Sequence, residues 1–153
     1  MFVLDTSAFI HIAKANAAPG VWQALLAQAK AEKIRSIDRV KKEWRARGAF
    51  LKRVKSRFPF VSTKSLEGGD SYNEIAKRAK KMGYTQNARE EFFDVADGWL
   101  VAYAHDHGYV VVTNEKSEPD KMGQIKIPDM CEKLSVRCID PQQMAKELDI
   151  TLP

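Results

Sequence analysis

The sequence predicts one three-layer α/β/α domain around a mostly parallel sheet. Three observations carry that prediction. Short β-branched apolar runs, Val3-Leu4 and Tyr109 to Thr113, have the form of strands buried on both faces. Segments of helical apolar spacing alternate with them, and there are no internal repeats or low-complexity tracts. The chain has 153 residues, 44% hydrophobic and 29% charged, enough for a single core without a staple.

Val3-Leu4 reads as the first strand, and Asp5, Thr6 or Ser7 can cap the helix that follows, with Phe9, Ile10 and Ala13 as its apolar stripe. After the break at Pro19-Gly20, Val21, Trp22, Leu25, Leu26 and Ala29 mark a second amphipathic helix. Ile34 to Ile37 alternates as a strand, and Asp38 caps a third helix carrying Val40, Glu43 and Trp44, interrupted or ended by Gly48. Pro59, Gly68 and Gly69 make residues 58–70 a loop. Ser71-x-x-Glu74 has the form of a capping box for a helix stopped by Gly83. A helical or irregular piece from Thr85 to Phe93 leads into an apolar helix from Asp94 to Ala104. Strand Tyr109 to Thr113 then ends in Asn114-Glu115, and a loop from Lys116 to Gln124 follows. Pro128 opens a short helix through Leu134, Val136 to Ile139 is a final strand, and Asp140 caps a terminal helix through Leu148.

Composition narrows the function classes. No apolar run approaches the roughly 20 residues that span a bilayer, so no membrane partner is expected. A strand at the very start leaves no room for a signal peptide, and Cys131 and Cys138 fit neither a zinc set nor a disulfide framework. The expectation is a cytoplasmic protein with small buried thiols. Net charge +5 favours an anionic partner. The charge is concentrated between Arg39 and Arg57, with nine Lys/Arg against one acid, Glu43. Lys41, Lys42, Arg45, Arg47, Lys52 and Arg53 read as a surface for a phosphate backbone, or as an ordinary solvated helical face.

Two strands thus end at one sheet edge in a carboxylate, Asp5 and Glu115, at the edge where open α/β sheets bind ligands. Asp94 and Asp97 lie three apart and would share a helix face turned toward that edge. Asp5, Glu43, Asp97 and Glu115 in one cleft, with Asp94 close by, would repel unless a hard divalent cation held them, and oxygen ligands suit Mg²⁺ or Mn²⁺. Each acid also has a plainer role open to it. Asp5 and Asp94 can be helix caps, Asp97 a first-turn acid, Glu43 part of an ion-pair ladder with Arg39 and Arg47, and Glu115 a loop residue. His11, His105 and His107 read as surface histidines.

The sequence resembles the PIN-domain nucleases, most closely the VapC-like toxin branch. Val3-Leu4-Asp5-Thr6-Ser7 is similar to that family's opening strand and metal-binding Asp. Asp97-Gly98-Trp99-Leu100-Val101-Ala102-Tyr103-Ala104 resembles its D-x-x-I-A-A-x-A helix, and Val112-Thr113-Asn114-Glu115 its T-N-D strand end, with Glu where Asp is usual. Val40-Lys41-Lys42-Glu43 resembles its helical Glu more weakly. The resemblance implies a metal-dependent endoribonuclease in which Asp5 and Asp97 ligate the cation and Glu43 and Glu115 hold further metal or its water. Thr6, Ser7 and Thr113 would support them by hydrogen bonds. It further implies a homodimeric toxin inhibited by a cognate antitoxin. A catalytically idle nucleic-acid-binding module is the alternative. A phosphatase or receiver reading is weaker, because Ser7 stands where haloacid-dehalogenase-like enzymes carry a second Asp.

Overall fold

The computed structural model describes residues 1–153. Five strands, β1 (Phe2–Leu4), β2 (Ile34–Ile37), β3 (Phe60–Val61), β4 (Val110–Val112) and β5 (Cys138–Ile139), form one sheet in the order β3-β2-β1-β4-β5. Every pairing is parallel, with Phe2 beside both Ile34 and Val110, Ser36 beside Phe60, and Val111 beside Cys138. The chain builds outward from β1 through β2 to β3, then returns to the other side of β1 for β4 and β5. The order therefore reverses between β1 and β4, and the carboxyl ends of those two strands flank the switch point.

Nine helices complete the three layers: α1 (Thr6–Lys14), α2 (Pro19–Lys30), α3 (Asp38–Glu43), α4 (Gly48–Arg57), α5 (Asp70–Lys81), α6 (Gln86–Asp94), α7 (Ala96–His107), α8 (Ile127–Lys133) and α9 (Pro141–Glu147). α7 is the hub of one group, receiving α5, α6 and α8 while lying on β2 and β4. It can do so because Ala96 and the whole run Gly98 to Ala104 are buried. In the other group α1 meets α3 and α9, and α2 meets α4 and β2. One continuous core of 37 buried residues joins both groups through the sheet. No helix is long and apolar enough to cross a membrane.

Several local expectations change. The buried face of α1 is Ala8, Phe9 and Ile12, whereas Ile10 stays 39% exposed. The third helix stops at Glu43, because Trp44 turns extended (φ −71°, ψ 109°) and drives its indole into an aromatic stack, 4.4 Å from Phe9 and 6.0 Å from Trp22. Gly48, at φ +82°, then starts α4 rather than ending α3, which has already stopped at Glu43. Residues 58–70 are less irregular than expected: Phe60–Val61 is an edge strand and Lys64–Leu66 a 3-10 turn. Ser71 forms no capping box, because α5 begins at Asp70 and the Ser71 hydroxyl pairs with His105 Nδ1 at 2.9 Å. β5 keeps only the last two residues of the expected strand.

The most consequential difference lies between Asp94 and Asp97, which belong to separate helices. Val95, with φ −99° and ψ 179°, ends α6 and caps α7. The bend is held by Trp99, whose indole Nε1–H donates to the Phe93 carbonyl at 2.7 Å. It also needs a glycine at 98. A Cβ there would stand 2.6 Å from Phe93 Cδ1 and 2.7 Å from the backbone oxygen of Phe92, and backbone cannot swing aside. Gly98→Ala should therefore destabilise the fold by about 1–2 kcal/mol, overpacking outweighing the gain in helix propensity. Urea denaturation checks this, and an unchanged midpoint would contradict the close approach.

Candidate metal centre

At the carboxyl edge of β1, Asp5 is 2% exposed and has no cation against it. It is held by hydrogen bonds instead. Oδ1 accepts the Thr6 amide at 2.6 Å, while Oδ2 accepts the Ser7 amide at 3.2 Å, the Ser7 hydroxyl at 2.6 Å and the Thr113 hydroxyl at 2.9 Å. The same two hydroxyls accept from the turn after β4: Asn114 N–H reaches Ser7 Oγ at 2.9 Å and Glu115 N–H reaches Thr113 Oγ1 at 3.1 Å. Each hydroxyl thus spends its one proton on Asp5 and its lone pairs on the neighbouring turn. Burial pushes the Asp5 carboxyl above the usual range, and these hydrogen bonds pull the other way. Asp5 caps α1 and joins β1 to β4 at once.

Glu43 sits at the end of α3 and bridges two helix starts. Its Oε2 accepts the Thr6 hydroxyl and its Oε1 the Ala96 amide, both at 2.7 Å. The second bond satisfies one of the orphan amides of α7, so the cap Val95 lacks is supplied by a residue 53 positions away. Glu43 makes no ion pair with Arg39 or Arg47. Arg39 instead reaches Glu67 at 3.1 Å and lies 4.0 Å over the Trp99 ring.

Asp97, in the first turn of α7, differs from both. It is partly buried and its carboxylate accepts no hydrogen bond in the protein. Burial, then the charges of Asp5, Glu115 and Glu43, push its pKa from 3.8 up to about 8, with Lys126 alone opposing. Glu115, after β4, accepts the Ile127 amide through Oε2 at 2.9 Å, and burial leads the causes that raise it. Asp5, Glu43, Asp97 and Glu115 are therefore brought within electrostatic range at the switch point. Asp94 is not: it is exposed at the end of α6, beside Tyr72, Gln86 and Arg89. Its expected place on Asp97's face is corrected by the break at Val95.

The donor set suits a hard cation in kind. Asp97 is unbonded, Glu115 Oε1 is unbonded, and Asp5 Oδ1 carries a single donor. Nowhere, however, do three or more His, Cys, Asp or Glu side chains close on a common point at ligand distance. Mg²⁺ accepts such an open arrangement, since it keeps several waters and is held by one or two carboxylates plus substrate phosphate.

Lys126 escaped sequence reading. It caps α8, pairs with Glu118 at 3.5 Å, and draws down both Asp97 and Glu115. A lysine in an aperiodic loop gives no signal, although Pro128 does mark a helix start close by. Of the other candidates, His107 contacts the Tyr103 carbonyl and the Tyr109 ring, whereas Cys131 (buried) and Cys138 (half-buried) are free thiols within electrostatic range of Glu115.

The basic run does not form one face. Lys41 and Lys42 are exposed on α3, Arg45 and Arg47 line a cleft together with Glu43, and Arg53 lines a different groove with Trp22, Leu26 and Phe50. Lys52 is exposed on α4, and Lys55 turns inward to donate to the Trp44 carbonyl at 2.5 Å.

Removing the Glu43 bridge should cost stability. Glu43→Ala leaves the Ala96 amide without its acceptor, for a loss of about 1.5–3 kcal/mol. Glu43→Gln should lose less, since an amide oxygen can serve Ala96 and the Thr6 hydroxyl can rotate to accept. Equal urea midpoints for the two variants would argue against the bridge.

Comparison of the sequence with curated proteins and with solved structures finds no match. A family model matches residues 2–152, so the protein belongs to the family described as a domain of unknown function, DUF4411.

Proposed function

We propose that this protein is a divalent-metal-dependent nuclease that hydrolyses RNA phosphodiester bonds. The observation that carries the proposal is Asp97: a half-buried carboxylate without a hydrogen bond, pressed by three other acids at the switch point of a parallel sheet. Such an arrangement is costly for the protein by itself and is relieved by a cation. The motif resemblance to PIN-domain nucleases and the exposed Lys/Arg near the same edge support the choice of substrate. The resemblance carries the proposal further, to a cytoplasmic homodimeric toxin with a cognate antitoxin.

Asp5 and Asp97 are the residues that would hold Mg²⁺ or Mn²⁺, with Glu43 and Glu115 beside them. When bound, the ion supplies a water of lowered pKa and positive charge against the phosphate. Ser7 and Thr113 fix the orientation of Asp5 through their hydroxyl protons. Glu43 fixes the first turn of α7, and with it Asp97. Lys126 adds positive charge on the α8 side, where it offsets part of the repulsion.

A second reading, an idle nucleic-acid-binding module, has one observation in its favour: no three acids converge on a single point. Incubation of a mixed RNA pool with Mg²⁺ or Mn²⁺ separates the two. The nuclease reading expects cleavage that EDTA stops and that Asp97→Asn lowers by about two orders of magnitude or more. Thr113→Val should lose about 10–100-fold by removing one of the four hydrogen bonds that orient Asp5. Full RNA binding without cleavage in any metal would favour the idle module.

The Asp97 carboxyl also predicts a pH dependence. Its folded pKa, about 8, exceeds the unfolded 3.8, so between those values the folded state binds more protons than the unfolded one. Its contribution to stability is fullest below pH 4 and is lost as pH rises toward 8. Metal-free wild-type protein should therefore lose stability relative to Asp97→Asn across that window, and Mg²⁺ should restore it most at the alkaline end. Parallel unfolding midpoints for the two proteins at all pH values would refute the assignment.

A further inference from the structure

Cys131 and Cys138 take no part in the acid site, yet the fold sets them side by side. After α8, Ser135, at φ +56°, turns the chain back so that the Val136 N–H reaches the Cys131 carbonyl at 2.9 Å. From there the chain runs into β5 with Val136 and Cys138 turned inward and Arg137 outward, the alternation of an extended segment. Cys138 thus lies on the face that α8 covers, packed against the core that contains Cys131. The two sulfurs are within hydrogen-bonding distance, Cys131 donating to Cys138.

The thiols differ in a way that suits stepwise oxidation. Cys131 is fully buried, whereas Cys138 is half-buried, so a small solute reaches Cys138 first. The shared hydrogen bond, and then burial, raise the Cys131 thiol well above the usual range, while the same bond lowers that of Cys138. The more accessible sulfur therefore has the greater thiolate character, and the thiolate is the nucleophile.

The pair also spans the two elements that carry the turn after β4. From α8, the Ile127 amide holds Glu115 Oε2 at 2.9 Å, and Asp129 accepts the Ser117 hydroxyl and, at 2.9 Å, the Glu118 amide. From β5, the Ile139 carbonyl accepts the Thr113 amide at 3.0 Å. A covalent bond between α8 and β5 would act on that turn directly.

We propose that Cys131 and Cys138 form a reversible disulfide on reaction with a hydroperoxide, and that this bond displaces Glu115. The Cys138 thiolate attacks the peroxide and the O–O bond breaks. One oxygen stays on sulfur as a sulfenic acid, and the other takes up a proton and leaves as water. The Cys131 sulfur then attacks the Cys138 sulfur: the S–S bond forms, the S–O bond breaks, and the oxygen leaves as a second water with the Cys131 proton. The thiols lose two electrons and the peroxide gains them. A thiol reductant reverses the reaction by exchange. A disulfide needs its sulfurs at about 2.05 Å, much closer than a hydrogen bond between thiols, so α8 is drawn toward β5 and the Ile127 amide leaves Glu115. The consequence for catalysis rests on the nuclease reading; the bond and the displacement do not.

The test exposes the protein to hydrogen peroxide in EDTA, then alkylates the remaining thiols after unfolding and counts them by mass. Wild type should lose both thiols while staying a monomer, and regain both in dithiothreitol. Cys138→Ala should keep its Cys131 thiol under the same exposure, and Cys131→Ala should stop at a sulfenic acid that dimedone traps. Urea midpoints in dithiothreitol check that the variants fold, and the wild-type count decides the matter even if Cys131→Ala does not. Amide exchange at Ile127 should quicken by about tenfold in the oxidised protein and stay unchanged in peroxide-treated Cys138→Ala. Two alkylated thiols after peroxide, or a disulfide between two copies of the chain, would overturn the site. Unchanged Ile127 exchange on oxidation would overturn the displacement. RNA cleavage at limiting Mg²⁺ should fall about 10–100-fold on oxidation and return on reduction. If the reduced protein cleaves no RNA, the nuclease reading fails by itself, and the thiol counts and amide exchange still decide the disulfide.

Discussion

A buried carboxylate without a counter-charge, Asp5, is the constraint on which the rest of this structure depends. It stands at the end of the central strand, where burial disfavours its ionised form, and only hydrogen bonds from its own turn and from the β4 edge make that position tenable. The bonds have structural consequences beyond Asp5. They fix the first turn of α1, and through the Ser7 and Thr113 hydroxyls they tie the turn after β4 to the turn after β1. The two strand ends that flank the switch point are thereby held as one polar unit, with Glu115 carried in place by the same chain.

Glu43 performs a comparable task for the helices. It is the outlying member of the acid group in sequence, yet its two oxygens connect α1 and α7 through Thr6 and Ala96. That arrangement explains why α7 can begin abruptly after Val95 with no side-chain cap of its own, and why Asp97 faces the cluster in its first turn. Three of the acids, Asp5, Glu43 and Glu115, are thus built into the scaffold by hydrogen bonds, while Asp97 is left without a partner. The asymmetry has a physical meaning: the bonded acids define geometry, and the unbonded one bears the unrelieved charge.

The basic run shows how tertiary structure divides a charge pattern that looks uniform in sequence. Trp44 leaves the helix to complete the aromatic stack with Phe9 and Trp22, and this turns a prospective single helix into two short ones joined by an extended link. Arg39 and Lys55 are drawn into local bonds, Arg53 goes to a separate groove, and Arg45 and Arg47 are brought to the cleft beside Glu43. One stack of rings thereby decides which cations lie near the acids.

The layered architecture, the parallel strands β1, β2 and β4, and the placement of Asp5 and Glu115 at a common edge were legible in sequence. They rest on local properties: runs of β-branched residues, helical spacing, and polar residues immediately after them. The edge strand β3, too short for periodicity, was not legible. Nor were the Val95 break, which Trp99 and Glu43 hold from a distance, or the role of Lys126 in a loop without pattern. Sequence by itself determined which residue types end the strands and where charge accumulates, because those are properties of neighbours along the chain. Only the tertiary structure decided that Asp94 stands apart from Asp97 and that Glu43 joins the site through hydrogen bonds. These depend on which distant groups meet, and long-range packing fixes that.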